Sequence, residues 1–464
     1  MKKMAGLAVM IGAALAAGCN SNDGAVATKP AQPTNVIFFL GDGMGLNTLT
    51  AARIYGVGEE GSLTIDTLPE TAFIKTFSHD AQITDSAPSM AAYMTGVKSN
   101  NGVISMDSDA TQESDCSQSA GKPVTTLLEL AKADGRGTGV VTSTRVTHAT
   151  PAATYAHICN RDLEADIAAQ LVPGGAGYNS ALKEGVDVVL GGGSSFFQPK
   201  ADKGKREDGR NLIDEMKSKG YQFASTLDEL NQAETGKPLL GLFAASHMKY
   251  DLDRPASEPS LAQMTLAAMK QLKDKEKGYF LMVEGGRIDH ALHDTNAKRA
   301  LQDTLAFDNA IKAAIDEVKK TDPELKNTLI LVTADHDHTL VLNGYAKRTG
   351  KTTADNPGVL GLVKNYETGN PSKDSDGMPY TIIGFGNGYN RVDGPRSSVA
   401  PLDDATVSAN DYLQEVVVKV GDIGSETHGG TDVFLGAIGK GADSFHGSLD
   451  NTAVFGKVKA AAGL

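Results

Sequence analysis

The segment Glu284-Gly285-Gly286-Arg287-Ile288-Asp289-His290-Ala291-Leu292-His293 follows an apolar run and carries a Glu, an Asp and two of the chain's 10 histidines. If the chain is helical from Asp289, Asp289 and His293 lie at i and i+4 on one face, spaced to bind one zinc ion. A solvated charged turn is the plainer reading, and two histidines in so short a stretch argue against it. Thr333-Ala334-Asp335-His336-Asp337-His338 repeats the pattern after another apolar run. Consecutive Asp335 and His336 can reach one metal from a loop, while His338 can orient a ligand from behind. Glu426-Thr427-His428-Gly429-Gly430-Thr431-Asp432 adds His428 among glycines. A lone His is usually structural, and this one gains weight only from its company.

Two more segments extend the set. Gly41-Asp42-Gly43-Met44-Gly45 follows the first apolar run, where open α/β sheets bind ligands, and Asp42 can hold a metal. Alone, it reads better as a glycine-rich turn with a capping Asp, and it lacks dinucleotide-loop spacing. In Thr84-Asp85-Ser86-Ala87-Pro88-Ser89-Met90, small helix-compatible residues place Ser86 at a helix start. There the dipole and free N–H groups favour a phosphate or an ionised Ser oxygen, though Asp85 or Ser86 could equally be a simple N-cap. Together, Asp42, Glu284, Asp289, His293, Asp335, His336 and His428 exceed the needs of one metal. Carboxylate-only and His-containing subsets imply a hard, magnesium-like ion and borderline, zinc-like ones. A Ser at a helix start beside two metals is a nucleophile design.

The elements that must position these residues alternate short apolar runs with helical patterns, as in a parallel sheet with helices on both faces. Strands are expected at Asn35–Leu40, Gly139–Thr142, Asp187–Leu190, Leu239–Phe243, Tyr279–Val283 and Thr328–Thr333, with later ones at Tyr380–Gly384 and Val433–Ala437. Pro123 opens an expected helix over Val124–Ala133. After Asp294, Ala300, Thr304, Phe307, Ile311, Ile315 and Val318 mark one face of a long helix. Residues 344–396 are polar and loop-like, an expected insertion beside the site. The fold expected is α/β, with a largely parallel central sheet, and residues 34–464 make a single domain.

The composition agrees. The chain has 464 residues, 40% hydrophobic and 22% charged, with 51 Gly, which excludes collagen, coiled coil and wholesale disorder. A net charge of −13 and the lack of a Lys/Arg-dense run argue against a nucleic-acid-binding module. Met1-Lys2-Lys3 and the apolar stretch Met4 to Ala17 form an export signal, too short to span a bilayer. Leu15-Ala16-Ala17-Gly18-Cys19 is similar to a bacterial lipoprotein cleavage box, with Cys19 as the lipidated residue. Residues 1–19 are then the signal peptide and 20–33 a flexible tether, which places the protein in the periplasm or at the cell surface. An ordinary secretory signal cut nearby is the alternative. Cys116 and Cys159 remain, and in an oxidising compartment they suggest one disulfide.

The ordered blocks GDGMG, TDSAPS, THATPAATYAH, NRD, VEGGRIDHALH, TADHDH and ETHGGTDV resemble the alkaline phosphatase family, from Asn35 to about Lys457. The resemblance implies a phosphate monoester hydrolase that works through a phosphoserine at Ser86 and releases inorganic phosphate and an alcohol. It implies two zinc ions, one on Asp289, His293 and His428, the other on Asp42, Asp335 and His336 beside Ser86. It implies a magnesium ion on Asp42, Thr150 and Glu284, with Arg161 of Asn160-Arg161-Asp162 clamping two phosphate oxygens. His148 and His290 stand where some bacterial members carry Asp and Lys, a pattern similar to animal and some marine bacterial members. The family is commonly dimeric, so a homodimer is implied as well. The rivals are a sulfatase or phosphodiesterase on the same scaffold, and a surface lipoprotein that binds metal or phosphate without catalysis. Sulfatases need an Arg where this chain has Met90, and a binding protein has no reason to combine Ser86, Arg161 and three ligand sets.

Overall fold

Near-continuous apolar runs make the centre of the molecule, because a strand covered on both faces has no side to turn toward water. In the computed structural model, which describes residues 34–421 and 425–464, Asn35–Leu40 is β1, and every residue after Asn35 in it is buried. The other strands are β2 (Glu70–Lys75), β3 (Gly137–Arg145), β4 (Val188–Gly192), β5 (Gln222–Ala224), β6 (Leu239–Leu242), β7 (Tyr279–Glu284) and β8 (Thr328–Thr333). They continue as β9 (Asp337–His338), β10 (Leu340–Leu342), β11 (Ile383–Gly388), β12 (Val416–Lys419), β13 (His428–Gly429), β14 (Val433–Gly439) and β15 (Gly447–Asp450). The export signal and tether lie outside the described residues.

The main sheet has 10 strands in the order β15-β2-β14-β8-β1-β7-β3-β4-β6-β5. From β8 to β5 all neighbours are parallel, and β14 alone runs antiparallel to both strands beside it. Helices flank the sheet. The long helix Ala297–Lys319 buries the expected stripe from Ala300 to Val318, and the Asn296 side chain caps it by accepting from Arg299 N–H. No helix among the described residues is long and apolar enough to cross a membrane.

Several boundaries differ from expectation, and two elements start three residues late. The helix expected over Val124–Ala133 begins at Leu127, because Thr126 and Glu129 form a capping box in which each side chain takes the other's backbone N–H. The strand expected at Tyr380–Gly384 is β11, displaced toward the C-terminus, where it pairs with β10 and β12 in a separate three-stranded sheet. Residues 344–396 are largely irregular, yet Val359, Leu360, Val363 and Ile383 join the main core.

Candidate active site

Four adjacent strands, β8, β1, β7 and β3, end at one edge of the sheet, and their outgoing loops carry most of the acidic and imidazole groups. Gly43, just past β1, turns through a φ of +67°, and a Cβ there would lie 2.6 Å from the His338 ring, so only glycine lets these loops meet. Its N–H donates to Asp335 Oδ1 (3.0 Å), tying the β1 loop to the β8 loop.

Ser86 is the first residue of the helix Ser86–Thr95, and the Asp85 side chain caps that helix by accepting from Ala87 N–H. Two hydroxyls fix the helix to the loop after β8: Ser89 donates to the Asp335 carbonyl (2.7 Å) and Tyr93 to the Ala334 carbonyl (2.9 Å). Ser86 Oγ consequently lies 3.2 Å from His336 Nε2 and 3.5 Å from Asp42 Oδ1. His336 Nε2 is in turn 3.3 Å from Asp42 Oδ1 and 3.6 Å from Asp335 Oδ2. Burial opposes the charge on His336, but Asp335 and Asp42 outweigh it and raise the imidazole, so its Nε2 faces a field that favours a proton or a metal ion in the proton's place.

A second group surrounds Asp289. Its Oδ1 lies 3.3 Å from His293 Nε2 and 3.7 Å from His428 Nε2, and those two nitrogens are 3.2 Å apart. Burial favours a neutral Asp289, yet His293, His338 and His428 hold its carboxyl well below the usual range. Behind it, His338 bridges Asp289 Oδ1 (2.8 Å) and Glu426 Oε2 (2.5 Å) and is raised to about 10, with Glu426 the strongest influence after burial. A third group joins Asp42, whose Oδ2 accepts from Thr150 Oγ1 (3.2 Å), to Glu284, whose Oε2 accepts from Thr142 and from Thr144 (3.1 Å). Burial, then Asp42, push both Glu284 and Asp335 well above the usual carboxylate range.

These groups fit metal ions on their own geometry. His293, His336 and His428 each donate Nδ1–H to a backbone carbonyl, of Glu426, Asp337 and Thr84, leaving every Nε2 lone pair turned into the site. Lone pairs facing one another at such range, with Glu284 Oε1 and Asp335 Oδ2 buried and unpartnered, call for cations between them. Asp42, Asp335 and His336 form one candidate ligand group, Asp289 and His428 fall in another, and Asp42 and Glu284 share a third with His148.

Arg161 is held at Gly102 by its backbone N–H (2.8 Å), while its guanidinium pairs with Asp85 and donates to His148 Nε2 (3.0 Å). The residue beside Ser86 is therefore also the anchor of the arginine. A disulfide joins Cys116 to Cys159, two positions before Arg161. Asn160 Nδ2 donates to the Glu113 carbonyl (2.8 Å) in the same loop. His290 lies past Asp289, with Nε2 4.0 Å from Asp289 Oδ2.

All the site residues expected from sequence thus converge on one edge of the sheet. Sequence reasoning missed Glu426, which is fully buried and supports both His338 and the Thr339 backbone N–H (2.7 Å). It also missed Asp85 as the partner of Arg161, and His247 beside His148 and His290. Only the Glu before Thr427-His428 hinted at the first of these.

A family model described as Alkaline phosphatase matches residues 33–464. The chain is 37% identical to the human tissue-nonspecific alkaline phosphatase isozyme over 454 residues, covering 89% of this chain and 80% of that one. It is equally 37% identical to the alkaline phosphatase of Gadus morhua over 445 residues, covering 89% and 88%. The crystal structure of Thermus thermophilus alkaline phosphatase superposes with a TM-score of 0.67 at 26% identity, covering 94% of this chain and 92% of that one.

Proposed function

The chain belongs to the alkaline phosphatase family of metal-dependent phosphate monoester hydrolases, and from that premise we propose that Ser86 is the group that accepts the phosphoryl. In the first step Ser86 Oγ bonds to phosphorus as the ester P–O bond breaks and the alcohol leaves. In the second, water attacks the phosphoserine, releasing inorganic phosphate and restoring Ser86. The observation that carries this reading is the placement of Ser86 Oγ, buried at a helix N-terminus, 3.2 Å from His336 Nε2 and beside Asp42. Arg161, fixed by Asp85, presents the planar fork that suits two phosphate oxygens.

Asp289, His293 and His428 would hold one zinc ion, and Asp42, Asp335 and His336 a second. Asp42, Thr150 and Glu284 would hold magnesium, with His338 orienting Asp289, and His148 and His290 flanking the set. When bound, such ions supply positive charge that favours an ionised Ser86 and a ready leaving oxygen. Turnover of a chromogenic phosphate monoester, a diester and a sulfate, measured with zinc and magnesium content, tests the reading. Faster turnover of the diester or the sulfate overturns it.

His148 sets the magnesium end apart from members that carry Asp at that position. Its Nδ1 is buried and unpartnered, and the ring lies within ligand range of Asp42 and Glu284. Burial, then Arg161, hold it well below the usual imidazole range, so the ring is neutral, with neither the negative charge nor the two acceptor oxygens that an Asp would bring. His148→Asp is expected to tighten magnesium retention by about 10- to 100-fold, since groups around a metal's ligands act on that scale. Metal analysis after matched dialysis checks this, and equal retention in the two proteins refutes it.

We also infer a homodimer, tethered outside the cytoplasm through lipid on Cys19. The cleavage-box sequence and the Cys116–Cys159 disulfide support the compartment. Cys19→Ser should move the protein from the membrane to the soluble fraction, and a variant that still sediments with membranes removes Cys19 as the anchor.

A further inference from the structure

Arg145, Arg287 and His247, in a basic cluster around Arg161, are unused by the reaction above. The rings of His148, His247 and His290 form a triangle, with centroids 5.3 Å apart from His148 to each of the others and 4.2 Å between His247 and His290. Each ring meets an arginine: Arg161 at His148 Nε2 (3.0 Å), Arg287 at His290 Nδ1 (2.6 Å) and Arg145 at His247 Nε2. A guanidinium can only donate, so His148 Nε2 and His290 Nδ1 accept and those two rings are neutral, while both nitrogens of His247 face donors of Arg145 and burial holds that imidazole well below its usual range. The positive charge of the cluster therefore belongs to the three arginines.

Their counter-charges differ. Arg161 is paired with Asp85, and Arg145 holds Glu164 through two nitrogens (2.7 and 2.8 Å). Arg287 forms no ion pair among the described residues. Its Nε is buried and unpartnered, and its guanidinium lies 3.8 Å over the Tyr250 ring. Stacking fixes the plane of a guanidinium without neutralising it, which leaves it ready for an anion. Asp303, near enough to feel Arg287, is no standing counter-charge at neutral pH, because burial and Asp251 push it up to about 8.

The location gives the cluster its role. His290 reaches toward Asp289 with Nε2 and toward Arg287 with Nδ1, so Arg287 lies across His290 from the Asp289, His293 and His428 group. We propose that Arg287, with Arg145 and His247 beside it, forms a second anion subsite, which favours phosphate monoesters whose alcohol carries a further negative group. This rests on the reading of Ser86 and Arg161 given above.

The test compares kcat/KM for 4-carboxyphenyl phosphate with that for phenyl phosphate. Losing one charge-assisted contact costs about tenfold or more, so Arg287→Gln should lower the ratio of the two by that factor. Zinc content is measured alongside, because Asp289 lies two residues on. His247→Asp, on a separate loop, neutralises the cluster from within and should lower the ratio in the same direction. Ratios within twofold of the parent in metal-replete variants overturn the subsite. If Arg287→Gln loses zinc, His247→Asp decides. A parent protein that turns over neither ester overturns the reading of Ser86 itself, a different result from an unchanged ratio.

Discussion

Ser86→Ala is expected to lower kcat for an aryl phosphate by on the order of a thousandfold or more, since it deletes the atom proposed to accept the phosphoryl. The fold should survive. Asp85 still caps the helix through Ala87 N–H, and Ser89 and Tyr93 still fix it to the loop after β8. The lost hydroxyl touches only His336 Nε2 and Asp42 Oδ1, so the loss falls on chemistry rather than packing. Quenching the parent enzyme with labelled substrate and mapping the phosphopeptide checks the assignment. Label on another residue, or on none at any pH, removes Ser86 from the mechanism.

Arg161→Ala is expected to weaken phosphate and substrate by about tenfold to a hundredfold, the value of a bidentate charge-assisted contact. The two proposed zinc groups should be undisturbed, because Arg161 touches Asp85, His148 and the Gly102 carbonyl and none of the Asp289 or Asp335 groups. The measurement is the inhibition constant of inorganic phosphate, taken with zinc content. Unchanged phosphate affinity would mean that the guanidinium only buttresses Asp85. Arg161→Lys should recover only part of the loss, since an ammonium lacks the planar fork.

How far the sequence reaches depends on where each group's partners lie. Asn35–Leu40 and Thr328–Thr333 are strands with the expected bounds, because, Asn35 apart, both are runs of apolar or β-branched residues, stopped by Gly41 in one and by Ala334-Asp335 in the other. Glu70–Lys75 escaped notice because its buried residues alternate with exposed ones over so few positions, and Gly447–Asp450 because it has almost no apolar residue. At the site, Asp42, Glu284, Asp289, Asp335 and His336 were legible because each stands within a few residues of a strand end. Their supports were not. Glu426 reaches His338 across 88 positions and Arg161 reaches Asp85 across 76, and no local pattern encodes a pairing made only when distant loops close. His247 was hidden for the same reason. It follows β6 with no ligand-like neighbours in sequence, and only the parallel sheet order brings it to His290.

The Cys116–Cys159 link has a bearing on how the enzyme matures. It closes a loop of 43 positions, and in the chain-entropy account a closure of that length removes about 4 kcal/mol of freedom from the unfolded state. In a thiol-rich compartment the two cysteines stay reduced, and the segment carrying Arg161 is then held only by non-covalent contacts, among them those to Gly102, Asp85 and Glu113 and the Ile104–Ile158 bridge. A newly made chain could already have its sheet and its ligand-bearing loops while lacking a settled phosphate clamp. Oxidation would complete that clamp last. In the exported protein proposed above, the cross-link would tie full affinity for phosphate monoesters to arrival in an oxidising environment.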